Sequence, residues 1–167
     1  MDKYDVAILV LRVSFGLSLC AHGWNKIFSP NGLAGTANWF SSIGMKWPHA
    51  QARVAAGVEV ATGLCLAVGL CTTLACSAVM SLMVVAIVTV HWRVGYFIFL
   101  PNGGWEYCAS IIAVSVAVAV TGPGLMSLDD LWGLSSLHPI AVIGLGVVAP
   151  VCHLALSYRP GGGPPAS

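Results

Sequence analysis

The stretch VAILVLRVSFGLSLCAHGWNKIF, residues 6–28, decides the class of protein because it is apolar over a length that matches a membrane. An α-helix needs about 20 predominantly apolar residues to cross the hydrocarbon core of a bilayer. The stretch stops at residues 29–32, Ser-Pro-Asn-Gly, where proline and glycine break a helix. It therefore predicts a first membrane span, and the last turn of that span is unusually polar.

The rest of the chain has the same composition. Hydrophobic residues make up 57% and charged residues 8%, and the mean hydropathy is +0.87, whereas a soluble domain carries about 25% charged residues. Further apolar stretches predict spans at residues 50–70, 74–90, 105–121 and 139–158. We expect an all-α, polytopic membrane protein, with a four-helix transmembrane bundle plus a fifth, C-terminal transmembrane helix. Its first partner is the lipid bilayer, and a net charge of +1 without a basic cluster excludes nucleic-acid binding.

The expected organisation is a four-helix membrane bundle at residues 1–130, an additional transmembrane helix at 131–158 and a disordered, Gly- and Pro-rich tail at 159–167. Segment 33–49 mixes Trp and Phe with small polar residues, which indicates an interfacial lid over the bundle. Ser127 followed by Asp130 predicts a helix cap in the last loop. The Lys and Arg residues of the short loops predict an outside N-terminus and a cytoplasmic C-terminus.

Two charged residues, Arg12 and Glu59, lie deep within the predicted spans, where each charge costs about 2.5 to 3.5 kcal/mol on insertion scales. Each therefore needs a partner inside the bundle. Antiparallel first and second spans place the two residues about 8 Å apart in depth, and Gly16 lets the helices approach closely. We predict an intramembrane ion pair between Arg12 and Glu59, direct or through one polar group. Such a pair either locks two helices together or positions a carboxylate that accepts a proton or contacts a ligand.

A second polar group converges from separate spans. Antiparallel threading brings the ends of the first and third spans and the start of the fourth to one membrane face, and Glu59 lies within about two helical turns of it. We interpret this group as a polar pocket and a candidate ligand-binding site, formed by His22, Asn25, Lys26, Glu59, His91 and Glu106. The alternative is that these residues simply meet lipid headgroups, with the long cationic side chains snorkelling. No residue is assigned a catalytic role.

No metal site and no resident cofactor are expected. The six cysteines form no CxxC pair, and the histidines and carboxylates match no metal-ligand spacing. A haem-attachment motif, a flavin fingerprint and iron–sulfur spacing are also missing. Any redox cofactor is therefore expected to be diffusible, such as a quinone, or to belong to a partner.

Six short stretches, in order and spacing, resemble the DoxX family of small bacterial membrane proteins. Each stretch is weak alone, but together they cover residues 4–130. They are residues 12–16, the run Ala-His-Gly-Trp-Asn-Lys-Ile-Phe at 21–28, the Glu59 helix with Gly63 and Gly69, residues 91–97, Asn-Gly-Gly-Trp-Glu-Tyr at 102–107, and Gly-Pro-Gly at 122–124 followed by Ser127-Leu128-Asp129. Leu125 stands where the family commonly has a basic residue, and residues 139–158 add a span to the usual four.

The resemblance implies a four-helix bundle in the bacterial plasma membrane and a link to oxidoreduction. Some relatives resemble the small subunit of thiosulfate:quinone oxidoreductase, and some actinobacterial members are associated with superoxide dismutase and a sulfurtransferase in an oxidative-stress complex. We therefore expect a membrane subunit of a redox system whose pocket binds a quinone headgroup or a small sulfur species. The alternative is a non-catalytic accessory or scaffold subunit. Under either function, the fifth helix is a docking helix for a partner subunit or a simple extra anchor.

Overall fold

Seven α-helices make up the described part of the chain in a computed structural model, which covers residues 2–160. In chain order they are α1 (Lys3–Phe28), α2 (Gly32–Ser42), α3 (Pro48–Val68), α4 (Thr72–Ala86, continued by a π-helical turn at Ile87–His91), α5 (Glu106–Thr121), α6 (Leu128–Leu131) and α7 (Pro139–Ser157). No β-strand occurs within these residues. The predicted all-α fold is confirmed, and each predicted span corresponds to a helix with ends within a few residues of the expected ones.

Four helices are long and apolar enough to cross a bilayer, namely α1, α3, α4 with its π-helical turn, and α7. Helix α5 is also apolar but has 16 residues, about 24 Å at 1.5 Å per residue. Large apolar side chains such as Leu17, Val54 and Val148 are more than half exposed on the outside of the bundle. An apolar surface of this extent is suited to lipid rather than to water.

Helices α1 and α3 lie against each other along a seam of small residues. Their buried residues recur every three or four positions, which is the spacing of one helix face: Ile8, Arg12, Gly16, Leu19 and Gly23 on α1, and Ala52, Ala56, Glu59, Thr62, Gly63 and Leu66 on α3. A Cβ atom added at Gly16 would lie 2.5 Å from the carbonyl oxygen of Gly63. The two backbones therefore touch, because neither glycine has a side chain to keep them apart.

Helix α7 packs along α4 and is thus part of the bundle. Gly146 faces Met80, and the Ser77 hydroxyl donates a hydrogen bond of 3.0 Å to the carbonyl oxygen of Val142. Glycine at the crossing lets the two helices approach closely. The other face of α7 is apolar and exposed, with Ile140, Val147, Val148 and Val151 among its residues.

The end of the bundle where α3 turns into α4 is closed by a buried carboxylate, and we call it the Asp129 end. Asp129 is 4% exposed and accepts hydrogen bonds from the backbone N–H groups of Cys71 and Thr72 at 2.6 and 2.8 Å. These donors have no partner within α4 because they lie at its start. Ser127 accepts a bond from the N–H of Asp130 at 3.1 Å, which confirms the predicted cap.

Arg12 belongs to the Asp129 end, and the predicted ion pair between Arg12 and Glu59 is wrong. The Arg12 side chain is 1% exposed, packs against Gly69 and donates to the carbonyl oxygen of Met126 at 2.5 Å. Asp129 provides the opposite charge nearby. The reason is side-chain direction: helical side chains tilt toward the N-terminus of their own helix. In antiparallel helices Arg12 and Glu59 therefore reach toward opposite ends of the bundle.

The division of the chain at residues 130 and 158 stays a prediction. The segment proposed as a lid, 33–49, forms most of α2, the turn that follows it and the first two residues of α3. Of the tail at 159–167, residues 159 and 160 are described, and the N–H of Arg159 donates to the carbonyl oxygen of Gly44 at 2.9 Å. The rest of the tail lies outside the described residues.

Candidate ligand-binding cavity

A salt bridge joins α1 to α3 at the opposite end of the bundle, which we call the Lys26 end. The Nζ atom of Lys26 lies 2.5 and 2.6 Å from the two carboxylate oxygens of Glu59. The two side chains are 22% and 11% exposed. Close backbone contact fixes their separation, because a Cβ atom added at Gly23 would lie 2.8 Å from the carbonyl oxygen of Ala56. Each charge thus has the partner that a membrane interior requires.

This ion pair lines a cavity of about 180 Å³ that is enclosed by α1, α3, α4 and α5. Helix α2 covers it, with Trp39 and Phe40 in the lining. Most of the lining is apolar, and its titratable side chains are His22, Lys26, Glu59, His91 and Tyr107. The structure therefore brings four of the six predicted pocket residues into one cavity.

His91 and Tyr107 form a hydrogen-bonded pair whose proton positions follow from geometry. The Nδ1 atom of His91 lies 2.8 Å from the carbonyl oxygen of Gly103, and a carbonyl only accepts, so Nδ1 carries a proton. In the neutral ring Nε2 accepts, and the Tyr107 hydroxyl 3.0 Å away donates to it. His91 is the last residue of the π-helical turn, a structure that is frequent at functional sites.

Asn25 and Glu106 lie outside the lining of this cavity. Asn25 is exposed on α1. The Glu106 carboxylate accepts a bond from the N–H of Ile98 at 3.0 Å and lies in a separate opening between α1 and α5, which shares Phe15 and Tyr107 with the cavity. Successive helical residues point about 100° apart. Tyr107, which the sequence-based pocket omitted, therefore faces the cavity where Glu106 was expected.

The cavity has donors and acceptors but little net charge. Lys26 and Glu59 neutralise each other, and the His22 ring takes part in no side-chain hydrogen bond among residues 2–160. Within the same residues, no group of three or more His, Cys, Asp or Glu side chains is placed to hold a metal ion. The arrangement suits a neutral ligand that combines an apolar ring or body with hydrogen-bonding groups.

Fold and cavity together define a helical, multi-pass membrane protein with a cavity at one end of its bundle that contains five titratable side chains. The chain belongs to the DoxX family, because the family profile matches residues 7–92, slightly more than half of its length. This match covers α1 to α4 and includes four titratable residues of the cavity, His22, Lys26, Glu59 and His91. No curated protein and no solved structure matches the chain significantly. Location in the bacterial plasma membrane and the orientation of the chain stay predictions.

Proposed function

We propose that the protein is a membrane subunit of a redox system and that its cavity binds the headgroup of a quinone. The observation that supports this most is the convergence of an ion pair, two histidines and a tyrosine hydroxyl on one cavity of about 180 Å³. Ionisable residues within membrane spans mark ligand sites and proton paths. The redox link comes from the resemblance to DoxX proteins.

The residues of the cavity fit a quinone headgroup, which is a flat, neutral ring with carbonyl oxygens as acceptors. Lys26 has three N–H donors and uses two of them on Glu59, so one remains for a ligand oxygen. The free ring of His22 offers a second donor. Apolar side chains such as Phe15 and Leu19 supply the surface for the ring. A small anionic sulfur species is a poorer fit, because Glu59 already neutralises Lys26.

A bound quinone would exchange electrons with a partner redox centre and take up or release protons at its oxygens. The protein's own side chains can hold those protons. Glu59 accepts a proton beside Lys26, and a second proton on His91 turns Nε2 into a donor, which releases the Tyr107 hydroxyl toward the cavity. The Nδ1–H of His91 stays bound to Gly103 throughout.

Quinone binding by purified protein in lipid nanodiscs tests this proposal, with quenching of tryptophan fluorescence by decylubiquinone as the readout. Glu59→Gln should weaken binding by roughly tenfold to a hundredfold, because Lys26 loses its charged partner and is reoriented. His22→Ala should weaken it several-fold through one lost hydrogen bond. The matched control is Glu106→Gln, which removes the same charge outside the cavity and should bind like the parent. Equal affinity of the parent and both cavity variants would remove the cavity from the function.

The second candidate is a non-catalytic accessory subunit that assembles a larger complex. The observation that favours it is the capture of both Glu59 oxygens by Lys26, which also links α1 to α3. This function predicts that Lys26→Met and Glu59→Gln lower the amount of partner protein that co-purifies in mild detergent. It also predicts that the parent binds no quinone, so the nanodisc titration separates the two candidates.

A further inference from the structure

A second, larger cavity of about 390 Å³ lies between α3, α4 and α7, and we call it the α7 groove. It follows α4 from Leu74 to Val85, about 16 Å at 1.5 Å per residue. Helix α7 forms one wall with Leu145, Ala149 and Pro150, and the lining is almost wholly apolar. The groove is thus long and apolar.

The hydroxyl groups in the α7 groove are already engaged within the protein. Ser77 donates to the carbonyl oxygen of Val142 at 3.0 Å, and Ser81 donates to the carbonyl oxygen of Ser77 at 2.9 Å. Two other polar side chains, Gln51 and His153, line the groove where α3 begins and α7 approaches its end. A hydrocarbon chain therefore fits along α4 without leaving the hydroxyl groups of Ser77 and Ser81 unpaired.

The α7 groove shares one wall with the cavity lined by Lys26 and Glu59, which we call the headgroup cavity. Phe40, Ala55, Leu82 and Val85 line both, so the two spaces are separated by a single layer of side chains between α3 and α4. Ala55 has the smallest side chain of the four. A ligand with a polar head and an apolar chain could thus occupy both spaces at once.

We propose that the α7 groove holds the isoprenoid tail of the quinone whose headgroup occupies the cavity, with the tail crossing between α3 and α4 at Ala55. This inference rests on the proposed function and makes a long-tailed quinone the ligand class. The other neighbour of the cavity, between α1 and α5, contains the Glu106 carboxylate. A carboxylate suits a hydrocarbon tail less well.

The position of the tail is a sharper test than affinity. In a bilayer, lipid chains are as apolar as the groove, so the groove contributes through shape and van der Waals contact rather than through transfer from water. The probe is a menaquinone-4 analogue with a diazirine at the tail end, irradiated in nanodiscs and mapped by mass spectrometry. Adducts are expected on groove residues, including Leu145 and Ala149.

Substitutions on α7 supply the matched controls. Ala149→Phe fills the groove and should lower the yield of groove adducts by about tenfold, because a filled space excludes the chain. Ala155 is exposed on the same helix and lies outside the groove lining, so Ala155→Phe should leave the yield unchanged. Glu59→Gln should also lower the yield, because the tail is held in place by its headgroup.

The outcomes separate this inference from the proposed function when menadione, the same headgroup without a tail, is titrated in parallel. If menadione binds but the menaquinone-4 analogue forms its adducts on Ile98 and Ser110, the headgroup cavity is retained and the α7 groove is ruled out as the site of the tail. Groove adducts whose yield is the same in parent and Glu59→Gln would mark a site for any lipid chain and overturn it as well. Parent protein that binds no menadione would overturn the proposed function and, with it, the ligand assigned to the groove.

Discussion

The two ends of the bundle hold their charges in opposite ways. At the Asp129 end, Arg12 and Asp129 are 1% and 4% exposed, and their hydrogen bonds go to backbone groups. The free space beside Arg12 is about 10 Å³, room for no more than one water molecule. At the Lys26 end, Lys26 and Glu59 line a cavity of about 180 Å³. The charges at the Asp129 end are thus enclosed by protein, whereas those at the Lys26 end border a cavity.

The largest effect on stability is expected from Asp129→Ala at the Asp129 end. The substitution leaves two backbone donors of α4 unpaired and removes the opposite charge from the buried Arg12. The free energy of unfolding should fall by about 3 to 5 kcal/mol, measured by SDS-induced unfolding in mild detergent. The exposed neighbour offers the control, since Asp130→Ala should be close to neutral. Similar losses for both variants would contradict the buried role of Asp129.

A smaller effect is expected where the α1–α3 seam connects the two ends. A Cβ atom at Gly63 would lie 2.6 Å from the carbonyl oxygen of Gly16. Gly63→Ala should therefore cost about 1 to 3 kcal/mol in the same unfolding assay. A Cβ atom at Gly57 on the same helix meets nothing within 4 Å, so Gly57→Ala should be neutral or slightly stabilising. The seam is not a tight backbone contact if the two variants behave alike.

At the Lys26 end, single substitutions of the ion pair should lower the free energy of unfolding by less than Asp129→Ala does. Lys26→Met and Glu59→Gln should each lower the free energy of unfolding by about 1 kcal/mol, because partial exposure weakens the pair. The double variant should lose less than the sum of the two, since neither charge is then left alone. A double-mutant cycle in the unfolding assay measures this difference, and strict additivity would show that the two side chains do not interact.

The smallest effect on stability is expected from Tyr107→Phe. It removes one hydroxyl hydrogen bond to His91, which should cost about 1 kcal/mol or less. Tyr96 gives a matched control, because its ring packs edge-on against Trp105 and its hydroxyl makes no side-chain hydrogen bond among the described residues. Tyr96→Phe should therefore leave the melting temperature unchanged. Equal melting temperatures for Tyr107→Phe and Tyr96→Phe would show that the His91–Tyr107 bond does not stabilise the fold.

Apolar run lengths predicted the helices well, because lipid leaves a spanning chain no alternative to internal backbone hydrogen bonds. The depth of a residue along its helix was a poorer guide to the partner of its side chain. It placed Arg12 near Glu59, although the tilt of the two side chains separates them, and it selected Glu106 although its neighbour Tyr107 faces the cavity.

The amino-acid sequence by itself determined that this chain is a multi-pass helical membrane protein, since hydropathy and helix-breaking residues act locally. The resemblance of short stretches to DoxX proteins indicated the family. Only the tertiary structure decided which charge meets which: Lys26 with Glu59, and Arg12 with the loop that contains Met126 and Asp129. Those pairings depend on helix rotation, side-chain direction and loop position. These are set by packing between segments far apart in the chain.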